Sequence, residues 1–382
     1  MCAKRVPSEP LNFSSSRRHL LKFFAASAGA YHATNSASES TADPSSPRIA
    51  YPRVVPGYRL KFPADEGSHP EFRTEWWYIT GWLEVERRAP VGFQITFFRT
   101  RPETDARNPS AFTPRQIFIA HAALSDAAHG RLAHDQKIAR SAFNLAGAEQ
   151  NRTRVWIDDW SLVQSGGAYR ITAPARDFAL DLTCTADQPP LQQGEDGYSR
   201  KGKDPQSASY YYSLPHLRVS GELARPGGRL AVNGTAWLDH EWSSSYMDTQ
   251  ASGWDWVGIN MDDGSALMLF QMRDRAGGRF WAGGAYRSPN GVRRTFAPPE
   301  VEMMPTRWWR SARTGSNYPV AWRLQAGGLD VQIQPLMDDQ EHDTRLSVGT
   351  IYWEGAVTAI VGGRRVGRGY LELTGYWRPM KL

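Results

Sequence analysis

Cysteine is scarce in this 382-residue sequence, which contains only Cys2 and Cys184. Cys2 precedes a segment with the features of a removable leader, so we expect the mature protein to carry one thiol and no internal disulfide. A zinc site built from cysteines is therefore excluded. Cys184 falls in an alternating stretch, residues 178–185, where a buried, unreactive thiol is expected. A Gly-x-Ser-x-Gly nucleophile elbow is also missing.

Long apolar runs and blocks of basic residues are missing as well. The body of the chain has no stretch of about 20 apolar residues, the length needed to cross a bilayer. The net charge of +6 comes mainly from scattered arginines, so the electrostatic footprint of a nucleic-acid binder is absent. No His-x-x-x-His spacing occurs around His69, His121, His134, His216 and His240, and Glu-x-x-His spacing occurs once, at Glu66 and His69. The sequence therefore predicts no nucleic-acid partner, no metal and no other cofactor.

The first 33 residues have the order of features found in a twin-arginine export signal. Arg17 and Arg18 precede a short, mildly apolar run that ends in small residues, with candidate cleavage sites at 28–30 and 31–33. Residues 34–50 are rich in Ser, Ala, Pro and Thr, which is typical of a flexible linker. The alternative is a Ser-rich N-terminus with a chance arginine pair. We expect a periplasmic or secreted protein whose precursor uses the twin-arginine export machinery.

Helical periodicity is missing beyond Tyr51. Apolar and polar residues alternate with period two, and Gly-containing turns separate stretches of β-branched and aromatic residues. This pattern predicts an all-β protein of barrel or sandwich type. Hairpin turns are predicted at residues 129–130, 166–167, 227–228, 263–264 and 290–291, the last two with the Asp-Gly and Asn-Gly pairs that type I′ turns favour.

A weak internal repeat divides the body. A Trp-rich strand at 76–81 is followed by segments at 92–99 and 121–126, and the same order recurs at 254–258, 267–273 and 283–288. We predict a duplicated β module, with an N-terminal domain at 51–224 and a C-terminal domain at 225–382. The Arg-Pro-Gly-Gly segment at 225–228 is equally compatible with a hairpin loop inside one larger domain.

Fifteen tryptophans are present, and many lie in three short runs: EWWYITGW at 75–82, WLDHEW at 237–242 and WDW at 254–256. Strand alternation places Trp76 and Tyr78 on one face of the first run and Glu75 and Trp77 on the other. Both faces are aromatic, so the strand is expected to be covered on both sides. Core packing explains most of this run, but a carboxylate beside two indoles requires a partner or a raised pKa.

The WLDHEW run carries the strongest indication of chemistry. Alternation places Asp239 and Glu241 on one face with Trp237, and His240 on the other face with Trp242. Three ionisable groups in an aromatic strand favour an acid or base whose proton affinity burial adjusts. The structural alternative is that the two carboxylates pair with arginines and that His240 is a satisfied core histidine.

These segments give the chain a resemblance to the AttH/CrtC superfamily, which includes carotenoid 1,2-hydratases and exported proteins described as secreted hydrolases. The resemblance is carried by residues 69–78, 211–215, 237–242, 352–355 and 369–376. It implies two tandem lipocalin-like antiparallel β-barrel domains packed together, with a site near their interface. His216 stands where an arginine is expected in that family segment. The export signal resembles that of the secreted branch.

The resemblance also implies a function. The hydratase members suggest addition of water to an isoprenoid double bond, with Asp239, His240 or Glu241 as proton donor and aromatic faces holding the cation. We expect the 75–78 and 239–242 strands to converge on one apolar cavity. Substrate-binding candidates are Glu75, Trp76, Trp77, Tyr78, His121, Tyr212, Trp242, Trp254 and Trp256. The expected partner is an apolar lipid or isoprenoid, with peripheral membrane contact as a further expectation. The main alternative is a non-catalytic periplasmic lipid-binding or carrier protein, and a weaker one is a saccharide-binding module.

Overall fold

The computed structural model describes residues 49–103, 110 and 112–380. The predicted export signal, Cys2 and the linker up to residue 48 lie outside these residues. Regular structure in the described residues consists of β-strands and two short 3-10 helices, Ala64–Glu66 and Pro298–Glu300. No helix in this part of the chain has the length and apolarity to cross a membrane.

Thirteen antiparallel strands form the first sheet. They are β1 (Thr74–Val85), β2 (Val91–Thr100), β3 (Ile117–Ser125), β4 (Ala133–Arg140), β5 (Ala146–Ala148), β6 (Arg154–Ile157), β7 (Trp160–Ser165), β8 (Ala168–Pro174), β9 (Ala179–Thr185), β10 (Leu191–Gln192), β11 (Tyr198–Arg200), β12 (Ala208–Arg225) and β13 (Gly228–Ser245).

Ten strands form the second sheet. They are β14 (Ala251–Met261), β15 (Ala266–Asp274), β16 (Arg279–Arg287), β17 (Arg293–Phe296), β18 (Val301–Arg310), β19 (Asn317–Ala326), β20 (Leu329–Pro335), β21 (Glu341–Asp343), β22 (Ile351–Val361) and β23 (Arg364–Leu373).

Both sheets follow the same plan. The first has the order β4-β3-β2-β1-β13-β12-β9-β8-β7-β6-β5, with β10 and β11 paired to β12, and the second has the order β17-β16-β15-β14-β23-β22-β20-β19-β18, with β21 paired to β22. In each sheet, the first four strands in chain order form a meander, β1–β4 or β14–β17. The first strand of the meander also pairs with the strand that comes last in chain order, β13 or β23. The first sheet curls until β6 lies against β3 and β4, and in the second β18 lies against β16. The predicted all-β, lipocalin-like architecture is confirmed.

The five predicted hairpin turns each join consecutive strands, because their glycines adopt positive φ angles that other residues avoid. The turn at 227–228 joins β12 to β13 within the first sheet. Residues 225–228 are therefore the hairpin loop that the sequence also allowed. The chain passes from the first sheet to the second at residues 246–250 instead.

Three apolar clusters hold the molecule together. One fills the first sheet around Trp77, Trp160 and Trp242, and a second fills the other sheet around Trp322 and Trp353. The third lies between the sheets and includes Tyr78, Trp82, Tyr211, Trp237, Tyr246, Trp256, Met268, Phe270, Met272 and Tyr370. This interface cluster places residues from both sheets around one shared region.

Candidate active site between the two sheets

The two faces of the β1–β13 strand pair have different surroundings: one borders the space between the sheets and the other points into the first barrel. Their antiparallel register sets Trp76 opposite Glu241 and Tyr78 opposite Asp239. These four side chains border a cavity between the sheets. The intervening residues, including His240, point the other way because successive strand residues face opposite sides.

The cavity has a volume of about 70 Å³. Its lining is mainly aromatic and acidic, and consists of Trp76, Tyr78, Thr96, Phe98, Tyr211, Asp239, Glu241, Tyr246, Trp254, Trp256, Tyr352, Glu354 and Glu372. Trp76 and Trp254 are partly exposed. Their rings flank Tyr246, with centroid distances of 4.9 Å and 5.7 Å. Because two of them reach solvent, we infer that these three rings border the opening of the cavity, here called the aromatic entrance.

Asp239 is held by three hydrogen-bond donors. Its carboxylate accepts bonds from Tyr211 Oη at 2.6 Å, Ser213 Oγ at 2.5 Å and Trp237 Nε1 at 2.7 Å. Burial nevertheless raises the pKa of Asp239 to about 7, because desolvation of the charge outweighs these bonds. A carboxyl with this pKa can give or take a proton near neutral pH.

Glu241 has a cationic partner. Its Oε1 lies 2.8 Å from Nζ of the buried Lys201, and Ser209 Oγ donates to the same oxygen. The Lys201 ammonium also lies over the rings of Phe270, Tyr211 and Tyr246, at 4.5, 4.9 and 5.3 Å. Burial raises the pKa of Glu241, and the Lys201 charge opposes that rise. The pair places an ammonium group behind the cavity wall, next to the lining residues Glu241, Tyr211 and Tyr246.

Glu354 and Glu372 occupy directly opposite positions on β22 and β23. Like charges in such a pair are destabilising, so ionisation of one carboxyl disfavours ionisation of the other. Burial, followed by the neighbouring Glu372, raises the pKa of Glu354 well above its ordinary value. Burial also raises the pKa of Glu372 to about 7, although Trp254 Nε1 donates to it at 3.0 Å. The pair is a proton reservoir on the cavity wall.

The opposite face of β1 and β13 carries a closed ionic network. Glu75 accepts a bond from Arg99 Nε at 2.8 Å and lies 2.8 Å from His69 Nδ1 and 2.9 Å from His240 Nε2. Burial opposes the charge on His69, but Glu75 and Asp65 more than offset this and raise its pKa to about 9. Although burial alone would raise the pKa of Glu75, Arg99 and His69 hold it well below its usual range. The network is charge-balanced and structural.

The same network brings three potential metal ligands together. Donor atoms of His69, Glu75 and His240 lie within 4.8 Å of one another. Arg99 already neutralises Glu75, so a divalent cation here would add two positive charges beside a fully buried guanidinium. Such an uncompensated buried charge is costly. These residues therefore do not fit a metal ion.

Most of the chain matches a known protein family. Residues 53–376 match the AttH-like family.

The chain belongs to the AttH-like family.

Its fold is shared by solved relatives. The crystal structure of an AttH protein from Nitrosomonas europaea superposes with a TM-score of 0.80 at 53% identity, covering 85% of this chain and 99% of that one. Kievitone hydratase from Nectria haematococca superposes with a TM-score of 0.63 at 16% identity, covering 84% and 94%. The ceramide-binding protein svf1 of Schizosaccharomyces pombe is 31% identical over 105 residues, which is 26% of this chain and 28% of that relative. The match to svf1 thus spans just over a quarter of its length.

In this AttH-like protein, half of the residues predicted for the site line the cavity: Trp76, Tyr78, Asp239, Glu241, Trp254 and Trp256. The other half lies elsewhere. Five point into the first barrel, because each is out of phase with the cavity face of its strand: Glu75, Trp77, Tyr212, His240 and Trp242. The sixth, His121, lies behind the cavity wall, where its Nδ1 is 2.8 Å from Tyr352 Oη.

Sequence reasoning did not place Glu354 and Glu372 in the site. The available signal was the one used for Asp239 and Glu241, a carboxylate two residues from an aromatic residue on the same strand face. Tyr352 precedes Glu354, and Tyr370 precedes Glu372, with that spacing. Lys201 had no such signal, because a lone lysine near a turn predicts a solvated side chain.

Two further sequence expectations concern isolated residues. Cys184 is fully buried in β9, and burial raises the pKa of its thiol to about 12, so it is a poor nucleophile. His216 adopts a φ of 57° at a bulge of β12, and its Nε2 lies 2.8 Å from the Ser265 carbonyl oxygen. Its role here is to link the two sheets.

Proposed function

We propose that the cavity catalyses acid-dependent addition of water to a carbon–carbon double bond of an apolar, isoprenoid-type lipid. The observation that supports this most directly is the convergence of four carboxyl groups with raised pKa values on one aromatic cavity. Carboxyl groups that stay protonated near neutral pH are the donors that alkene protonation requires. The hydratase named among the structural relatives shares the fold at low identity.

The Glu354–Glu372 pair is the proposed proton donor. Neither oxygen of Glu354 has a hydrogen bond of normal geometry, and burial followed by Glu372 favours its protonated form more than the nearby Tyr78 and Tyr352 hydroxyls favour its ionised form. Transfer of its proton to one alkene carbon leaves a tertiary cation on the other carbon. The electron-rich faces of Trp76, Tyr78 and Trp256 would stabilise that cation, and the new carboxylate charge would add to this effect.

Asp239 is the proposed base for the second step. A water oxygen bonds to the cation and loses one proton to the Asp239 carboxylate, which leaves an alcohol. The proton gained by Asp239 balances the one lost by the glutamate pair, so the net reaction is addition of one water molecule. The three donors to Asp239 fix its position and keep it partly ionised near pH 7.

The size of the cavity limits what it holds. A volume of about 70 Å³ is far below the roughly 300–1,000 Å³ of pockets that enclose drug-sized ligands. The cavity accommodates the reacting end of a lipid, and the remaining chain would extend past Trp76, Tyr246 and Trp254. A terminal double bond is therefore the proposed reacting group.

The experiment uses acyclic terpenoids with a terminal dimethyl-substituted double bond, incubated with the protein in water enriched in oxygen-18. We expect a labelled tertiary alcohol by mass spectrometry. Glu354→Gln and Asp239→Asn should abolish turnover while changing terpenoid binding, followed by tryptophan fluorescence, by less than about tenfold, or roughly 1.4 kcal/mol. Glu302→Gln, an exposed carboxyl on β18, is the control and should retain full activity.

A lipid-binding or carrier function is the second candidate. It is favoured by the partial match to a ceramide-binding protein and by the aromatic entrance. A carrier needs the shape of the cavity but not its acids. Binding of terpenoids or ceramide with equal affinity by wild type and Glu354→Gln, without label in any product, would favour the carrier over the hydratase.

We also propose export through the twin-arginine route, which is supported by Arg17 and Arg18 ahead of a short apolar run outside the described residues. Replacing both arginines with lysine should leave the precursor in the cytoplasm. Fractionation of cells expressing the wild type and the double variant measures this. Unchanged delivery of the variant to the periplasm would contradict the route.

A further inference from the structure

A column of histidines leads away from the cavity behind Glu354. His342 on β21 has its Nδ1 3.5 Å from Glu354 Oε2, and both side chains are buried. The His342 ring lies 4.7 Å from the ring of His134 on β4 and 5.1 Å from that of His121 on β3, measured between centroids. The column therefore crosses from the second sheet to the first.

The column ends at solvent. His134 is half-buried and borders a polar surface groove of about 800 Å³, together with Gln136 and Ser347. This groove is separate from the aromatic entrance, since the two share no lining residue. Glu354 is thus connected to two different surfaces, one apolar and one polar.

Several polar atoms along the column have no hydrogen-bond partner. They are both carboxyl oxygens of Glu354, both ring nitrogens of His342 and Nδ1 of His134. Leaving a buried polar group unpaired costs about 1–3 kcal/mol, and such groups in native proteins call for an explanation. Ordinary packing does not supply one, because an aliphatic or aromatic side chain would fill the same space without this cost.

His121 differs from the other two histidines. Its Nδ1 pairs with Tyr352 Oη at 2.8 Å and its Nε2 with Ser347 Oγ at 2.9 Å. Both nitrogens are occupied, so this ring is fixed. It supports the column from one side, while His342 and His134 retain free nitrogens.

We propose that His342 and His134 conduct protons between the Glu354 carboxyl and the polar groove. His342 accepts the proton of Glu354 at Nδ1 and releases the proton on its other nitrogen towards His134, which exchanges with solvent. One proton enters and one leaves, so the ring stays neutral and changes tautomer. Passage of a proton in the reverse direction restores the first tautomer. Burial lowers the pKa of both rings, which keeps each ring neutral between transfers, with one nitrogen unprotonated.

The purpose of this path rests on the proposed hydration chemistry. A lipid seated between Trp76, Tyr246 and Trp254 closes the aromatic entrance and excludes water from that side. A separate path then lets Glu354 equilibrate its proton with solvent while the ligand is bound. The path itself is testable without any substrate.

The test follows exchange of the Glu354 carboxyl proton by infrared spectroscopy after transfer of the protein from H2O to D2O. The carbonyl stretch of a protonated carboxyl shifts on deuteration, and its loss in Glu354→Gln assigns the band. We expect His342→Phe and His134→Phe each to slow the shift by at least about tenfold. His129→Phe, an exposed groove residue outside the column, should exchange like wild type.

The outcomes separate the two proposals. Unchanged exchange in both column variants, with the Glu354 band present, would show that protons enter through the aromatic entrance and would overturn the path alone. Absence of a protonated Glu354 band in wild type would overturn both the path and the proposed acid. If His342→Phe fails to fold, judged by circular dichroism, the half-buried His134→Phe still decides.

Discussion

Burial sets the charge state of the cavity carboxyls more than their hydrogen bonds do. Asp239 accepts three hydrogen bonds and still has its pKa raised to about 7. Glu75, on the adjacent strand β1 but on the opposite face of the sheet, has its pKa held well below the usual range because Arg99 and His69 surround it. The same residue types thus become proton donors on one face of β1 and β13 and fixed charges on the other.

Glu372→Gln should change how stability depends on pH. Burial raises the pKa of Glu372 from 4.5 to about 7, so its stabilising effect is complete below about pH 4.5 and is lost as pH rises through 7. The variant has no carboxyl to ionise at this position, so this decrease in the free energy of unfolding should not occur. It should therefore gain stability relative to wild type from pH 4.5 to pH 8. Since the side chain is partly exposed, we expect a gain on the order of 2 kcal/mol rather than the full value for a group cut off from water.

Urea unfolding at a series of pH values measures this difference. Glu302→Gln on β18 is the matched control, because it makes the same substitution at an exposed carboxyl outside the cavity. Parallel stability curves for wild type and Glu372→Gln would contradict the raised pKa.

The sequence predicts best which residues of the site share a strand face, because side chains alternate along a strand. Period two correctly separated Trp76 and Tyr78 from Trp77, and Asp239 from His240, onto opposite faces. It could not say which face meets the second sheet, because both faces are aromatic. For that reason the sequence pattern groups His240 and Trp242 with the site, although they point into the first barrel.

The sequence does not predict which strands pair when they are far apart in the chain. The Glu354–Glu372 pair depends on the register of β22 and β23, and the cavity depends on how β13 approaches these strands. Short turns with Asp-Gly or Asn-Gly are local signals, so hairpins were predictable. Contacts between segments far apart in the sequence have no local signal, so the sequence does not predict that Lys201 pairs with Glu241.

Gly92→Ala should disrupt the crossing of β2 and β22. A Cβ atom at Gly92 would lie 2.5 Å from the Ala356 Cβ and 3.1 Å from the Ser125 Cβ, closer than side chains pack. Overpacking of this kind costs about 1–3 kcal/mol. Adding Ala356→Gly should recover part of the loss, and urea unfolding of the two single variants and the double variant measures the coupling. Strictly additive effects would show that the two strands do not meet closely there.

The repeated strand plan explains why the site lies between the sheets rather than inside either. In the first sheet Trp76 on the first meander strand is opposite Glu241, and in the second sheet Trp256 on the equivalent strand is opposite Glu372. The two Trp–Glu pairs come from matching positions of the repeated plan and border the same cavity. Each barrel keeps its own buried carboxylate–arginine pair, Glu75 with Arg99 and Asp255 with Arg273. The interior pairs stabilise each barrel, and the facing pairs form the site.

A shared cluster between the sheets predicts that they unfold together. Met268 is 1% exposed within that cluster, where Trp256 Nε1 also donates to Tyr211 Oη at 3.1 Å. Met268→Lys buries a charge with no partner, which costs several kcal/mol and weakens contact between the sheets without touching either barrel core.

In a Cys2→Ala background, labelling of Cys184 reports opening of the first barrel, and circular dichroism reports loss of all strands. The two measurements should show one urea midpoint in the parent and separate midpoints in Met268→Lys, whereas Met304→Lys on β18, outside the cluster, should keep them together. Coincident midpoints in Met268→Lys would mean that the barrels are coupled by contacts other than this cluster.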